Sequence, residues 1–192
     1  MRRTAGIAAA LAAPAFAIAT LAVAAPAGAV ERENALGMEA GGAVFAVADK
    51  SSPDVGGSVG FHYTYGLSDA FNLVANAGWS LVALNEVAGD ASTPRTRPTN
   101  VTNANVGAAY VLDVLQWVPW GALEAGGYAL QGGTLPGVKL LPGVAIAIGV
   151  DYRLNRSWSV GVEVREHLLF TEMSTYPSFL QGLARFEYVW GW

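Results

Sequence analysis

Residues 186–192 read Phe186-Glu187-Tyr188-Val189-Trp190-Gly191-Trp192, a strictly alternating strand that closes on an aromatic residue. Phe186, Tyr188, Trp190 and Trp192 fall on one face, while Arg185, Glu187 and Gly191 fall on the other. A half-buried strand of a soluble sheet would turn the aromatic face to a core and the polar face to water. The closing strand of a transmembrane β-barrel needs the reverse, apolar toward lipid and polar toward the lumen. Residues 1–30 decide whether that second reading is open.

Met1-Arg2-Arg3 is a short basic start, followed by an alanine-rich apolar run with no charge until Glu31. Ala27-Gly28-Ala29 is a small-x-small site directly ahead of Val30. The pattern predicts a cleaved export signal over 1–29 and one domain over 30–192. The run is also long enough for a membrane anchor, but Pro14, Pro26, the alanine richness and the cleavage-like ending favour a signal. The context that a twin-arginine signal needs around Arg2-Arg3 is missing. Losing Arg2 and Arg3 moves the net charge from −4 to −6, which disfavours nucleic acid as a partner. The absence of cysteine leaves neither a lipoprotein anchor nor a disulfide scaffold. Past the signal no uncharged run approaches the roughly 20 apolar residues of a membrane helix. A membrane destination therefore has to be reached by strands.

The mature chain divides into eight strand-like segments, 36–48, 56–67, 71–84, 101–113, 118–130, 141–153, 158–170 and 178–192. Tight connections at 67–70, 114–117 and 154–157 alternate with longer Gly-, Pro- and polar-rich ones at 49–55, 85–100, 131–140 and 171–177. Antiparallel strands with periplasmic turns and extracellular loops produce that alternation. Period-two patterning is clear in four segments. Val144, Ile146, Ile148 and Val150 alternate with Ala145, Ala147, Gly149 and Asp151, and Trp158, Val160, Val162 and Val164 with Ser159, Gly161, Glu163 and Arg165. Val59, Phe61, Tyr63 and Tyr65 oppose Ser58, Gly60, His62 and Thr64, and Phe71, Leu73 and Trp79 oppose Asn72, Asn76 and Ser80. Two segments read less cleanly: 36–48 sets Phe45 and Val47 on the parity of Glu39, and 118–130 sets Trp120 and Tyr128 on that of Glu124. A β-bulge in each would reset the parity.

Aromatic residues gather at segment ends. Tyr65, Phe71, Tyr110, Trp117, Trp120, Tyr152, Trp158, Trp190 and Trp192 fall toward the short-turn rim, and Trp79, Tyr128, Phe170, Tyr176 and Phe179 toward the other. Trp and Tyr favour headgroup depth, where the ring is dry and the N–H or O–H is wet. Glu166 shares the lipid parity of its strand, close to the far rim, where a carboxylate costs only about 0–1 kcal/mol.

On these residues the chain resembles the small eight-stranded outer-membrane barrels, the class of the OmpA transmembrane domain and the OmpX and OmpW proteins. The resemblance covers the mature chain and is most specific at Phe186, Tyr188, Trp190 and Trp192, which look like the signal read by the barrel assembly machinery. Trp192 stands where that family most often has phenylalanine. The resemblance implies an all-β antiparallel transmembrane barrel in the Gram-negative outer membrane, monomeric, with outer-membrane lipid and lipopolysaccharide around it. It implies no cofactor. A secreted lipocalin-like barrel is a rival that would turn its apolar residues inward.

The ionisable residues collect on the polar faces. Glu163, Arg165 and His167 share one strand face, Arg185 and Glu187 the next, with Asp151, Arg153 and His62 expected to point inward as well. The interior of an eight-stranded barrel is just wide enough for side chains to fill, so charges enclosed there have to pair. A rigidifying polar plug is the first reading, a gated ion path the second. Lipid-A chemistry is the third, and it lacks a convincing triad: His167 has Leu169 where a serine would be useful, and His62 lies mid-strand. Two histidines without cysteine argue against structural zinc, and Gly56-Gly57 and Gly126-Gly127 precede no helix that would bind phosphate. Asn100-Val101-Thr102 matches a glycosylation sequon that carries no meaning in a bacterial envelope. The loop Thr93-Pro94-Arg95-Thr96-Arg97-Pro98 is basic and proline-stiffened, and reads as solvated or as a contact for phosphates or a host ligand. The expectation is a non-enzymatic barrel with a structural or surface-interaction role, the alternative a narrow channel for ions or small apolar molecules.

Overall fold

A computed structural model describes residues 32–48, 52–82, 96–112 and 116–191. Eight strands follow one another: β1 (Asn34–Ala46), β2 (Asp54–Gly66), β3 (Phe71–Leu81), β4 (Asn100–Val111), β5 (Trp117–Gln131), β6 (Lys139–Arg153), β7 (Trp158–Leu168) and β8 (Ser178–Trp190). Each pairs with the next and β8 returns to β1, all antiparallel, so the sheet closes into a barrel with no free edge. Strand ends match the sequence expectation within about three residues, inside the slack that assignment of element ends carries. The expected signal 1–29, Trp192 and the Thr93–Arg95 part of the basic loop lie outside the described residues.

The turns follow from local chemistry. At 67–71 the Leu67 and Ser68 amides both donate to the Phe71 carbonyl, and Ser68 Oγ accepts from the Phe71 amide at 3.2 Å. At 154–158 the Asn155 side chain accepts from the Ser157 and Trp158 amides at 2.8 and 3.1 Å, the self-capping for which asparagine suits turns.

Outward positions are apolar: Met38, Phe61, Leu123, Ile146, Val162 and Phe186 are among the exposed side chains. Inward ones include Glu39, His62, Asn76, Glu163, Arg165 and Arg185, all buried. A continuous apolar exterior around a polar interior is stable only in an apolar solvent, and closed barrels satisfy every backbone group there. The lipocalin-like alternative fails on the direction of these faces.

The bulges expected in 36–48 and 118–130 are absent. β1 pairs with β8 without interruption from Asn34–Trp190 to Ala46–Ser178, and β5 pairs with β6 from Trp117–Tyr152 to Leu130–Lys139. Phe45 and Val47 therefore point inward with Glu39, and Trp120 and Tyr128 with Glu124. The period of two is intact, and it is the lumen that changes character along its length, from polar to apolar.

Adjacent glycines on β5 test the inside–outside assignment. A Cβ on Gly126 would collide with the Ala104 carbonyl oxygen and the Asn105 side chain, whereas a Cβ on Gly127 meets nothing within 4 Å. Gly126→Val should destabilise the barrel by about 1–3 kcal/mol through overpacking. Gly127→Val should stay within about 0.5 kcal/mol of wild type. Urea titrations of the detergent-solubilised protein check this, and equal losses at both positions would refute the assignment.

Candidate functional site: the barrel lumen

The lumen is layered from the short-turn end to the long-loop end. At the short-turn end lies an open cleft of about 70 Å³, room for a few water molecules, lined by Glu33, Asn72, Trp120, Asp151, Arg153 and Arg185 among others. Above it sits a buried charge network centred on two guanidiniums. Arg185 pairs with Glu187, lies 3.3 Å from Glu163 and 3.8 Å from Asp151, and stacks over the Trp120 indole at 4.4 Å. Arg165 meets both oxygens of Glu39 at 3.2 and 3.4 Å and approaches Glu163 at 2.8 Å. Glu163 thus bridges two cations. Its contact with Arg165 is close without the alignment of a hydrogen bond, since neither carboxylate oxygen has a well-directed donor.

His62 joins the network from β2, with Nε2 2.6 Å from Glu187 and Nδ1 3.7 Å from Glu39. The register explains how it reaches. His62 pairs with Gly37, which pairs with Glu187 on the far side, so the imidazole lies across a residue with no side chain. A Cβ on Gly37 would occupy the ring position. Gly161 does the same between Asp151 and Arg185, and Gly149 between Trp120 and Glu163. Large luminal side chains are seated over glycines of the neighbouring strand, which is how so narrow a barrel admits them.

On the opposite wall Asn76 donates to Glu124 at 2.5 Å and accepts from Asn105 at 3.1 Å and Asn103 at 3.3 Å. One level up, Gln181 donates to Ser58 and Ser80 at 2.8 and 3.0 Å and accepts from His167 Nε2 at 2.8 Å. With the amide nitrogen committed to the serines, His167 carries its proton on Nε2, and Nδ1 accepts from the Tyr128 hydroxyl at 2.9 Å.

The long-loop end is dry. Phe45, Val82, Val101, Leu130, Leu169 and Phe179 are essentially inaccessible and form one apolar cluster, with Phe45 5.4 Å from Tyr176 and 5.5 Å from Phe179. Loop residues knit across it. Arg97 pairs through two nitrogens with Asp54, both buried. The Arg97 amide donates to Thr134 Oγ1 at 3.0 Å, and the Tyr176 hydroxyl donates to the Thr96 carbonyl at 2.7 Å. On the rim, Lys139 meets Glu172 at 2.8 Å, and hydrogen bonds from Lys139 and Thr175 hold that carboxyl below its usual range.

Of the residues expected in the lumen, His62, Asp151, Glu163, Arg165, Arg185 and Glu187 meet in one network. Two stand apart. Arg153 lies at the short-turn rim in a two-bond pair with Glu33, at 2.8 and 3.1 Å. His167 is buried among Tyr128, Gln181 and Phe179, away from the ions. Glu39 and Glu124 are network members that sequence reasoning passed over, because a bulge was expected to turn their strands. Tyr128, Tyr176 and Phe179 leave the aromatic rims for buried positions, and Trp120 for a half-buried luminal one. Phe71, Tyr110, Trp117, Tyr152, Trp158 and Trp190 of the short-turn rim make outward ring contacts, including Trp117 with Tyr152 and Phe71 with Tyr110. On β8, Phe186 and Tyr188 face outward against Trp158, and Tyr188 stacks on Trp190. Glu166 lies outward as expected and accepts from Ser178 at 2.8 Å.

The network has the parts of a hydrolase triad in the wrong order. Ser159 donates to Glu187 at 2.5 Å and His62 contacts the other oxygen of the same carboxylate. A triad places the imidazole between hydroxyl and acid so that it takes the hydroxyl proton. Here the carboxylate stands between, and Ser159 has no base. Among the described residues no group of His, Asp and Glu is placed to hold a metal.

No family model matches the chain, and no curated protein matches it. Solved structures do. The chain is similar to Neisserial surface protein A, with a TM-score of 0.61 and 11% identity over 81% of this chain and 96% of that one. It is similar to Ail, the attachment invasion locus protein of Yersinia pestis, with a TM-score of 0.54 and 10% identity over 84% of this chain and all of that one. The N-terminal β-barrel domain of Pseudomonas aeruginosa OprF gives a TM-score of 0.56 and 12% identity over 83% of this chain and all of that one. The fold is that of the small eight-stranded outer-membrane barrels.

Removal of Arg185 strips the cation from Glu187, Asp151 and Glu163 together. Arg185→Ala should cost about 3–5 kcal/mol, the usual loss when a buried pair is halved. Arg153→Ala, at a half-exposed pair, should cost under about 1 kcal/mol. Urea unfolding in micelles separates them, and an Arg185 variant as stable as the Arg153 variant would mean the network does not hold the barrel.

Proposed function

We propose that the protein is an integral outer-membrane barrel, exported through residues 1–29, with a structural or surface-interaction role. The carrying observation is the apolar cluster that fills the lumen at the long-loop end, Phe45 and Phe179 at its centre. A barrel plugged in this way offers its surroundings a rigid wall and its extracellular loops, and no standing pore. The likeness to proteins named as a surface protein and an attachment invasion locus protein supports the same reading. Both chain ends lie on the periplasmic side in this orientation, with the short turns. Lipid and lipopolysaccharide surround the apolar belt, and the barrel assembly machinery reads the outward face of β8. No enzymatic role is assigned, since the hydroxyl, imidazole and carboxylate of the lumen stand in an order that cannot activate the hydroxyl.

A second reading is favoured by the cleft that opens the charge network to the periplasmic side. It makes the barrel a narrow passage for ions. Five luminal carboxylates, Glu39, Glu124, Asp151, Glu163 and Glu187, outnumber the guanidiniums of Arg165 and Arg185. Small cations are the species such a lining admits.

Planar-bilayer recording tests the first reading against the second. The wild-type protein is expected to add no steady current to that of the bare membrane. A sustained open state would sink the structural reading and leave the passage.

A further inference from the structure

The lumen is open to water at the short-turn end and closed by an apolar cluster at the long-loop end. Above the cleft the lumen is lined with polar groups: Asp151 and Glu187 beside Arg185, then Asn76 and Asn105, then Ser58, Ser80 and Gln181. Beyond Gln181 an ion meets Phe45, Leu130 and Phe179, which offer no ligand at all. Dehydrating an ion in an apolar layer costs far more than exchanging water for carboxylate and amide groups. Along the axis the apolar cluster at the long-loop end is the layer that offers an ion no ligand.

That cluster has two kinds of parts. Phe45, Val101, Leu130 and Phe179 belong to strands whose backbones are fixed in the closed ladder. Leu135, Leu169 and Tyr176 come from the connecting segments and are held over the mouth by bonds outside the ladder. Among them are the Asp54–Arg97 pair, the exchange between Arg97 and Thr134 in which each backbone amide is used, the Tyr176–Thr96 bond and the Ala48–Thr175 bond at 2.9 Å. Loop-borne bonds of this kind open locally at far lower cost than a barrel ladder.

We propose that this loop-borne lid is the gate of the barrel, latched by Asp54–Arg97 and Tyr176–Thr96, and that its release joins the polar lumen to the cell exterior for small cations. The proposal rests on the passage reading above. It assigns the charge network to support and lining, and the control of access to a different set of residues at the long-loop end.

The absence of cysteine allows a clean test. Ser80→Cys places one thiol in the lumen just below the lid, at a fully buried position. Intact cells would be treated with a small, membrane-impermeant methanethiosulfonate bearing a quaternary ammonium, and the full-length protein recorded in planar bilayers. Asp54→Ala with Arg97→Ala removes both partners of the latch together. Tyr176→Phe removes only the second bond and serves as the milder variant, with heat-modifiable gel mobility confirming that each barrel is folded. Weakening the latch by the equivalent of one hydrogen bond should raise labelling from outside by about tenfold, and cation-selective openings should appear in parallel. Labelling and current unchanged in both folded variants would overturn the gate. Current already present in wild type and indifferent to the latch would keep the passage and overturn the gate. Labelling that rises without current would overturn the passage reading, and the gate with it.

Discussion

β8 pairs with β1 from Ser178–Ala46 to Trp190–Asn34, and that seam is what removes the two edges of the sheet. In hydrocarbon each unpaired backbone N–H or C=O costs several kcal/mol, so an eight-stranded sheet left open by this seam would not persist in a membrane. The seam also builds the lumen. It sets Arg185 opposite Glu39 and Glu187 opposite Gly37, and through Gly37 brings His62 of β2 against a carboxylate of β8. Residues at the two ends of the chain become one charge network because the backbone has to close. The outward face of the same strand supplies Phe186, Tyr188 and Trp190 to the membrane rim.

Confinement then dictates the chemistry inside. Two guanidiniums, five carboxylates and an imidazole share a space with little water, where charge is tolerated only in company. Arg185 and Arg165 each engage more than one acid, and Glu163 belongs to both. Space is the second constraint. Gly37, Gly149 and Gly161 each lie under a large neighbour, and their Cβ atoms would collide with His62, Trp120 and Asp151. The glycines that alternate with valine and isoleucine along β6 and β7 are thus the seats of the polar network.

Strand number, strand limits and the direction of each face were legible because a period of two survives in every strand, and because the turn chemistry at Ser68 and Asn155 is local. Depth was not legible. Parity says that Phe45 and Glu39 share a face, but it cannot say that the lumen is polar at one level and apolar at the next. Under a uniformly polar interior β1 and β5 need bulges. That assumption hides Glu39 and Glu124 and sends Trp120, Tyr128 and Phe179 to the membrane rim. Contacts such as Arg165 with Glu39, between β7 and β1, depend on closure across a strand that neither residue occupies. Pairs of that kind have no signature in spacing. Asp54 with Arg97 joins a strand to a distant loop and is equally silent in the sequence.

The layering separates two demands that a single plug would have to meet together. The charges lie next to the cleft at the short-turn end, where water relieves part of their desolvation, and the dry layer lies where, among the described residues, the buried charges are the paired Asp54 and Arg97. If the order were reversed, the two arginines and their acids would be enclosed between an apolar layer and a packed mouth, at the full penalty of a dry interior. A charged layer resists opening because every displaced group leaves a partner unpaired. An apolar layer has no such partners, and its loop-borne members are restrained by bonds that cross the mouth. Rigidity and closure therefore reside in different residues of the same lumen, the first centred on Arg185 and the second on Arg97.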